Sequence, residues 1–539
     1  MKKLFIITVI LLANQITAQE FTRKDSLQGG FSFERMCFDV QRYDLNITLN
    51  PDERSIVGYN DITFKNLKDS KTIQLDLFEN MQVDSIVYGH KKLAYKREFG
   101  AVFITCQDKL RADVSEQKLR FNYSGSPIIA KNGPWDGGFV YEKDKNGKHW
   151  IGVAVQGTGA SLWYPVKDSQ SDEPDMGASV KVAVPNGLMN VSNGRFIRSE
   201  ELKNGYTSWL WEVKNPINTY NITVNIGHYV HLHDNHKDLD LDYYVIRGNE
   251  EKAKKHFEEV KPMMDCFQSK FGKYPFAEDG YKLIETPYLG MEHQSAVSYG
   301  NKYRKGYLGG DSSGTGIGML FDYIVVHETG HEWFGNSITS RDIADMWIHE
   351  GFTTYSETVF VECLYGYDKA MEYINGQKNL VANSRKIIGA YGVNDSGPTD
   401  KYYKGSLLLN TLRHVINNDA KWWKIVLTFS EKYRHQIIDT ETVVAFFNAE
   451  SGMDLAPIFE QYLHQKDIPV FEIRKQGKGF QYRWKAAVSD FDMPIDVVYK
   501  QKTIRLVPGT DWKKLDLKIA KADDIKVLTD LFYVNTSLR

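Results

Sequence analysis

The stretch Phe321-Asp-Tyr-Ile-Val-Val-His-Glu-Thr-Gly-His-Glu-Trp-Phe334 decides how the central part of this chain folds and what it can bind. Its apolar residues recur at helical spacing and Gly335-Asn336 supplies a stop, so we predict a helix within these residues. Residues four apart on a helix lie one turn above each other, so His327 and His331 project from one face and can share one metal ion. Glu328 is turned by about 100° from His327, which places its carboxylate beside the metal, in the position of a general base.

A third protein ligand is expected downstream, because a catalytic zinc site combines three protein ligands with an open position for water. Eighteen residues separate His331 from Glu350, which lies in Trp347-Ile-His-Glu-Gly-Phe-Thr-Thr-Tyr-Ser-Glu357, a second stretch with helical spacing. We therefore predict one zinc ion per chain, held by His327, His331 and Glu350. Glu357 lies about 10 Å further along the same helix face, too far to bind that ion, so we expect it to orient a ligand histidine.

The other histidines and the cysteines carry weaker signals. His349 is expected to pack or to hydrogen-bond on another face of its helix. His231, His233 and His236 favour a polar loop between domains, and the alternative is a strand that brings His231 and His233 together at a metal. The four cysteines of the chain, which have unrelated spacings, are Cys37, Cys106, Cys266 and Cys363. We expect them to be small buried apolar residues, and the alternative is that two of them form one disulfide.

Composition and charge narrow the class of protein. The chain has 539 residues, of which 42% are hydrophobic, so it can bury a large core and form several domains. Lysine plus arginine total 67 against 69 for aspartate plus glutamate, which gives a net charge of only -2. A nucleic-acid partner is therefore not expected.

Residues 1–18 have the pattern of a secretory signal peptide: Lys2 and Lys3, an apolar run from Leu4 to Ala13, and small residues at the end. The alternative is a membrane anchor, but the run is well short of the roughly 20 residues that cross a bilayer. We expect the mature chain to be exported, to the periplasm or outside the cell, and to have no membrane span.

The hydrophobic period changes twice along the chain and predicts a multidomain α and β protein. Alternating stretches such as Tyr43–Leu49 and Gly58–Phe64 predict an all-β domain over residues 32–230. Helical spacing, first over Asn249–Phe271, predicts a mainly helical domain over residues 231–467. Strand patterns return and predict a small β-sandwich over residues 468–539, in the stretches Phe471–Arg474, Phe480–Trp484 and Ile495–Tyr499.

Several motifs together resemble the aminopeptidase N type of gluzincin, a family of zinc metallo-aminopeptidases that includes leukotriene epoxide hydrolase. Besides the two histidines, Glu328 and Glu350, they are Tyr43-Asp-Leu45, Gly290-Met-Glu292, His331-Glu-Trp-Phe-Gly-Asn336 and Tyr402-Tyr-Lys-Gly405. The resemblance extends over most of the mature chain. It implies a saddle-like N-terminal β domain, a thermolysin-like catalytic domain and a C-terminal β-sandwich. The C-terminal helical domain of the larger members is not expected here.

The resemblance also implies roles for single residues. Glu292 is similar to the glutamate that binds the free amino group of the substrate, Gly290 and Met291 line the substrate backbone, and Gln156 resembles a glutamine that helps to hold the amino terminus. Tyr402 matches the tyrosine that donates a hydrogen bond to the oxyanion, with Tyr403 as the alternative. His293 stands where the family usually has asparagine, which affects the shape of the pocket.

These expectations add up to a zinc-dependent aminopeptidase that removes the first residue of peptides with a free amino terminus. Glu328 is the expected general base and Tyr402 the expected oxyanion stabiliser. An endopeptidase of the thermolysin type is the nearest alternative, and Gly290-Met-Glu292 argues against it. A non-catalytic peptide-binding protein is the alternative from another class, and the presence of all three ligands and Glu328 argues against that.

Overall fold

The structure is a computed structural model that describes residues 20–114 and 116–538. The predicted signal peptide, residues 1–18, lies outside the described residues. Within the described part of the chain, no helix is both long enough and apolar enough to cross a bilayer.

The first region is built almost entirely of strands. Two short helices precede them, α1 (Arg23–Gly29) and α2 (Phe33–Met36). The strands are β1 (Phe38–Asn50), β2 (Ser55–Asn66), β3 (Ser70–Asp76), β4 (Met81–Tyr88), β5 (Lys91–Lys92), β6 (Ala94–Glu98), β7 (Ala101–Leu110), β8 (Gln117–Gly125), β9 (Gly138–Lys143), β10 (His149–Ala154), β11 (Ala178–Pro185), β12 (Met189–Val191), β13 (Arg195–Glu201), β14 (Tyr206–Val213) and β15 (Asn225–Gly227).

These strands form three sheets, and the predicted alternation explains how they pack. An eight-stranded sheet has the order β13-β14-β11-β1-β2-β8-β4-β5, and the smaller sheets are β12-β15-β10-β9 and β3-β7-β6. Along β1, the side chains of Leu45, Ile47 and Leu49 are buried while the residues between them are partly exposed. One face of the strand therefore supplies the core of this region, as the alternating pattern predicts. The N-terminal β domain is confirmed.

The second region combines a sheet with nine described α-helices. Its strands are β16 (Tyr229–His236), β17 (Leu239–Ile246), β18 (Tyr281–Glu285), β19 (Gly290–Met291), β20 (Val297–Tyr299), β21 (Ile338–Ser340) and β22 (Gln436–Ile438). Its helices are α3 (Glu250–His256), α4 (Val260–Phe271), α5 (Tyr323–Gly330), α6 (Trp347–Tyr365), α7 (Tyr367–Gly376), α8 (Asp400–Ile416), α9 (Asp419–Lys432), α10 (Thr440–Ser451) and α11 (Ala456–Phe459). Five strands pair in the order β16-β17-β18-β20-β19.

The predicted helix over Asn249–Phe271 is present, but it is interrupted. A 3-10 turn over Phe257–Glu259 separates α3 from α4. Pro262 lies in the first turn of α4, where its missing N–H is tolerated, whereas an unbroken helix would place it in the interior. The proline therefore accounts for the break.

The predicted loop at His231–His236 is wrong, because these residues form most of strand β16. β16 pairs with β17 as an antiparallel hairpin, with His233 opposite Asp242. His231 and His233 lie on one face, with His231 Nε2 2.7 Å and His233 Nδ1 2.9 Å from Asp242 Oδ1. The strand thus brings the two rings together, as the alternative requires, and both exposed histidines pair with the partly buried carboxylate of Asp242.

The cysteines divide into two kinds. Cys37 and Cys106 are buried thiols, as predicted. Cys266 on α4 and Cys363 on α6 form a disulfide across 97 residues of sequence, so the preferred prediction for this pair is wrong. The two helices pack against each other in the core, and only that packing brings the two sulfur atoms together.

The last region returns to strands, as predicted: β23 (Val470–Gln476), β24 (Gly479–Lys485), β25 (Ile495–Tyr499), β26 (Lys502–Leu506), β27 (Lys513–Leu515), β28 (Lys526–Val527) and β29 (Asn535–Leu538). They form a four-stranded sheet, β27-β24-β23-β29, and a three-stranded sheet, β26-β25-β28. Buried residues of both sheets, including Phe471, Trp484 and Val497, join the same apolar core as the helices of the second region.

Candidate active site

Helix α5 carries the first two predicted metal ligands. The side chain of Asp322 caps its amino end by accepting hydrogen bonds from the N–H groups of Ile324 and Val325, at 2.9 and 3.2 Å. The α5 helix ends at Gly330, earlier than predicted, and His331 is its C-cap residue. The chain turns there because the N–H groups of Trp333 and Phe334 both donate to Gly330 O, at 3.2 and 3.3 Å. His331 keeps a helical backbone, so its ring still lies beside that of His327.

Glu350, in the first turn of α6, meets both histidines. Its Oε2 lies 3.3 Å from His331 Nε2 and 3.9 Å from His327 Nε2. All three side chains are buried. The three residues predicted from spacing are therefore neighbours in space.

The cluster has the chemistry of a metal site. Glu350 Oε2 is buried and has no hydrogen-bond partner among the described residues, although an unpaired buried carboxylate oxygen is costly. His331 Nδ1 lies 3.0 Å from Phe334 O, and His327 Nδ1 lies 2.7 Å from Glu357 Oε1. With each Nδ1 donating, both Nε2 atoms are left to bind a cation beside that oxygen. The side chains present therefore fit a zinc ion held by two histidines and a glutamate.

The electrostatics of this cluster also favour a positive charge beside Glu350. Burial opposes ionisation of Glu350, but His331 lowers the pKa of Glu350 to about 2. Burial also opposes the charged form of His331, yet the carboxylates of Glu292 and Glu350 raise the pKa of His331 to about 10. The cluster thus keeps a carboxylate ionised and attracts a cation.

Glu357 lies where it can orient a ligand. While its Oε1 faces His327, its Oε2 accepts hydrogen bonds from Tyr373 OH at 2.7 Å and from Gln377 Nε2 at 3.1 Å. Those donors hold the carboxylate in place. His349, on another face of the same helix, accepts a hydrogen bond from the Ser340 N–H at 2.9 Å, so the prediction that it packs or hydrogen-bonds is confirmed.

Glu328 lies against the short edge strand β19. A Cβ atom on Gly290 would come within 2.9 Å of Glu328 Oε1 and 2.7 Å of an Ile324 methyl, so only glycine lets the strand approach the helix this closely. Burial raises the pKa of Glu328 to about 7. A carboxylate with such a pKa can both accept and return a proton near neutral pH.

Glu292 is buried on the other side of the cluster. Gln156 Nε2 and Tyr220 OH both donate to Glu292 Oε1, the second at 3.1 Å, and both come from the N-terminal region. Gln156 Nε2 also lies 3.3 Å from Glu350 Oε1. Burial raises the pKa of Glu292, which an ammonium group beside it would reverse. Sequence reasoning missed Tyr220, since no motif marks it and it reaches Glu292 only through the fold.

Tyr402 enters the site from helix α8. This helix packs closely against α6 at two glycines, Gly405 and Gly351, the second of which follows Glu350. A Cβ on Gly405 would lie only 2.9 Å from the Cα of Gly351. The ring of Tyr402 stacks 6.1 Å from that of His327. Burial, and then the nearby Glu350, raise the pKa of Tyr402 well above its usual value, so its phenol stays protonated.

A cavity of about 600 Å³ joins these groups. Its wall includes every predicted metal ligand, catalytic residue and substrate-binding residue, together with Tyr220 and both candidate tyrosines, Tyr402 and Tyr403. His293 is fully buried and its Nδ1 lies 3.1 Å from Ser298 Oγ. His293 is not among the wall residues in the described part of the chain, so it does not shape the pocket directly.

Comparisons with known proteins agree with this architecture. The family model of the peptidase M1 N-terminal domain matches residues 40–221, and the family model of the peptidase family M1 domain matches residues 255–462. A leucyl aminopeptidase of Saccharolobus solfataricus is 22% identical over 68% of this chain and 50% of its own length. Aminopeptidase M1 of Arabidopsis thaliana is 23% identical over 57% of this chain and 36% of its own length. The chain thus spans about half the length, or less, of these curated relatives.

A solved structure shows the same fold. It is a crystal structure of a mutant M1 zinc metallopeptidase from Deinococcus radiodurans bound to a Tyr-Ser-Ala substrate. The TM-score is 0.65 at 19% identity, over 80% of this chain and 95% of that one. Two M1 models match consecutive parts of the sequence, and the zinc-binding motif lies inside the second. The chain belongs to peptidase family M1.

Proposed function

We propose that this protein is a zinc-dependent aminopeptidase that hydrolyses the first peptide bond of peptides with a free amino terminus. The observation that carries the proposal is the position of Glu292, a buried carboxylate held by Gln156 and Tyr220 in the same cavity as the His327, His331 and Glu350 cluster. A carboxylate fixed beside the hydrolytic group binds the α-ammonium and places the first peptide bond for attack.

The residues of the chain divide the chemistry among them. His327, His331 and Glu350 would hold zinc, which when bound acidifies water and polarises a carbonyl group. Glu328 removes the proton from the attacking water and later gives it to the departing amine. The Tyr402 phenol donates a hydrogen bond to the oxygen on which negative charge develops. Glu292 and Gln156 bind the amino terminus, and Gly290 and Met291 lie along the substrate backbone.

The relatives support peptide hydrolysis that begins at the amino end of the substrate. The Saccharolobus solfataricus protein is named a leucyl aminopeptidase, and the Deinococcus radiodurans enzyme was crystallised with a tripeptide substrate. A thermolysin-type endopeptidase does not need a buried carboxylate such as Glu292 in the cavity wall. A peptide-binding protein without activity does not need Glu328 beside the metal ligands.

We also propose that the chain acts outside the cytoplasm. The signal-like residues 1–18 and the Cys266–Cys363 disulfide support this, because disulfides persist in oxidising compartments. Labelling of the protein in intact cells that produce it, with a reagent that does not cross the cytoplasmic membrane, would test this proposal. Protein found only in the cytoplasm, with both cysteines reduced, would contradict it.

The decisive experiment compares a leucyl arylamide with its N-acetylated form. The wild type should cleave the free amine and discriminate strongly against the acetylated substrate. Glu292→Ala should lower kcat/KM on the free amine at least about tenfold without loss of zinc, since a charge-assisted hydrogen bond is lost. Glu372→Ala, an exposed glutamate on α7, is the control.

The opposite result is equally clear. If the acetylated substrate is cleaved as fast as the free amine, or if longer peptides are first cut at internal bonds, the chain is an endopeptidase. If the zinc-loaded protein cleaves neither substrate, the catalytic proposal fails.

A further inference from the structure

Lys401 is a cation in the wall of the active-site cavity that the proposed mechanism does not use. It is the second residue of α8, directly before Tyr402, and only 9% of its surface is exposed. Its Nζ donates to Ser396 O at 3.1 Å and to Ser396 Oγ at 2.9 Å. Both acceptors are neutral, and in residues 20–114 and 116–538 Lys401 forms no ion pair with a carboxylate.

The acidic residues nearest in sequence are committed elsewhere. Asp395 forms a two-pronged ion pair with Arg385, at 2.8 and 3.0 Å, and accepts from the Ala390 N–H at 3.0 Å. Asp400 accepts hydrogen bonds from the N–H groups of Ala382 and Asn383, at 2.8 and 2.7 Å. Neither carboxylate is therefore available to neutralise the lysine beside it.

The site carboxylates do not neutralise it either. Glu350 faces the two histidines and Gln156, and Glu292 is bonded to Gln156 and Tyr220. Burial lowers the pKa of Lys401, although the field of Glu350 opposes that effect. A lysine this buried is normally paired, because removing an ammonium group from water is costly.

We propose that Lys401 binds a carboxylate of the substrate. This deepens the proposed aminopeptidase function and rests on it. An anion entering the cavity would supply the missing partner, and the two neutral acceptors from Ser396 hold Nζ in one place to receive it. Lysine presents a compact charge with three donors, and only two are used by the protein contacts given above.

The carboxylate could come from two places on a peptide. One is the side chain of an aspartate or glutamate at the first position, and the other is the free carboxyl end of a very short peptide. Three polar residues close to Lys401 in sequence line the same cavity: Asn394, Ser396 and Thr399. A polar wall suits a carboxylate from either source. Both sources share the chemistry that Lys401 would recognise, so two substrate pairs are needed to separate them.

The first pair is the glutamyl and the glutaminyl arylamide, which differ in one charge and have no free carboxyl end. The second pair is Leu-Gly and Leu-Gly amide, which differ only at the carboxyl end. The quantity measured is the ratio of kcat/KM for the charged member to that for the neutral member. In the wild type we expect this ratio to reach about tenfold in one of the two pairs, and that pair names the source.

Three variants identify the residue responsible. Lys401→Met keeps the length of the side chain but removes the charge, and should bring the ratio close to one, while Lys401→Arg should restore much of it. Arg341→Met removes the other lysine or arginine that lines the cavity in the described residues, an exposed arginine, and should leave the ratio in place. Zinc content is measured for each variant, because a lysine that only supports Glu350 would affect the metal instead.

Several results would overturn the proposal. They are a wild-type ratio near one in both pairs, an unchanged ratio in Lys401→Met, an equal loss of the ratio in Arg341→Met, or loss of zinc from Lys401→Met without a change in the ratio. Each leaves the aminopeptidase proposal standing if the leucyl arylamide is cleaved. Failure of zinc-loaded wild type to cleave that arylamide would instead remove the function on which the inference rests.

Discussion

Glu357 Oε1 lies 2.7 Å from Nδ1 of His327. Glu357 is the seventh residue after Glu350 on helix α6. One helix, α6, therefore carries both the proposed metal ligand Glu350 and the carboxylate placed to orient a second proposed ligand, His327. Tyr373 and Gln377 fix the second oxygen of Glu357, so the acceptor for His327 is rigid. The arrangement resembles the carboxylate–histidine pairs that raise the basicity of a metal-binding imidazole.

Removing that carboxylate should weaken the metal site. Glu357→Ala should lower zinc affinity by about 10- to 100-fold, measured by competition with a chelator, because the orientation of His327 is lost. Glu357→Gln should lose less, since its amide oxygen can still accept from Nδ1. Equal affinity in Glu357→Ala and in the exposed control Glu372→Ala would show that Glu357 does not support the ligand.

The role of Glu328 separates catalysis from metal binding. Glu328→Gln has a similar shape but cannot accept a proton, so zinc content should stay the same while kcat falls by at least about 100-fold. His331→Ala is the matched comparison, because it should lose zinc and activity together. Near-normal turnover of Glu328→Gln on the leucyl arylamide would mean that another group takes the proton.

Two tyrosines face the cavity, and kinetics can distinguish them. Tyr402→Phe should lower kcat by roughly 100-fold with a much smaller change in KM, because its hydrogen bond strengthens only as the oxyanion forms. Tyr403→Phe is the matched control from the next position of the same helix. If Tyr403→Phe alone produces the larger fall in kcat, the oxyanion role belongs to Tyr403.

A buried carboxyl between the first two regions should make stability depend on pH. Thr339 Oγ1, on β21, donates to Glu173 Oε1 at 2.5 Å, and burial raises the pKa of Glu173 from 4.5 to about 8. Between these values the unfolded chain releases a proton that the folded protein keeps. The free energy of unfolding should therefore fall as pH rises through this window, by up to about 1.4 kcal/mol per pH unit from this group.

Glu173→Gln removes that titration and keeps an acceptor for Thr339. Relative to the wild type, the variant should gain stability between pH 5 and pH 8, measured as the difference in urea midpoint at each pH. The same pH dependence in both proteins would show that Glu173 is not the titrating group.

Local patterns in the sequence determined the elements and much of the site. The spacing of His327 and His331 is a property of one helix turn, and the alternation along Tyr43–Leu49 is a property of one strand, so neighbouring residues are enough to predict both. The contact of Glu357 with a ligand histidine was also accessible, because the motif fixes two helices that must lie side by side.

Tertiary structure decided what depends on segments far apart in the chain. The Cys266–Cys363 disulfide, the pairing of β16 with β17 and the approach of Tyr220 to Glu292 were not visible in the sequence. No pattern in the sequence singles out Lys401, whose burial and neutral partners result from the packing of the helices. The physical reason is that periodicity records which face of an element is apolar, whereas the partner of a buried polar group is set by how the elements pack against one another.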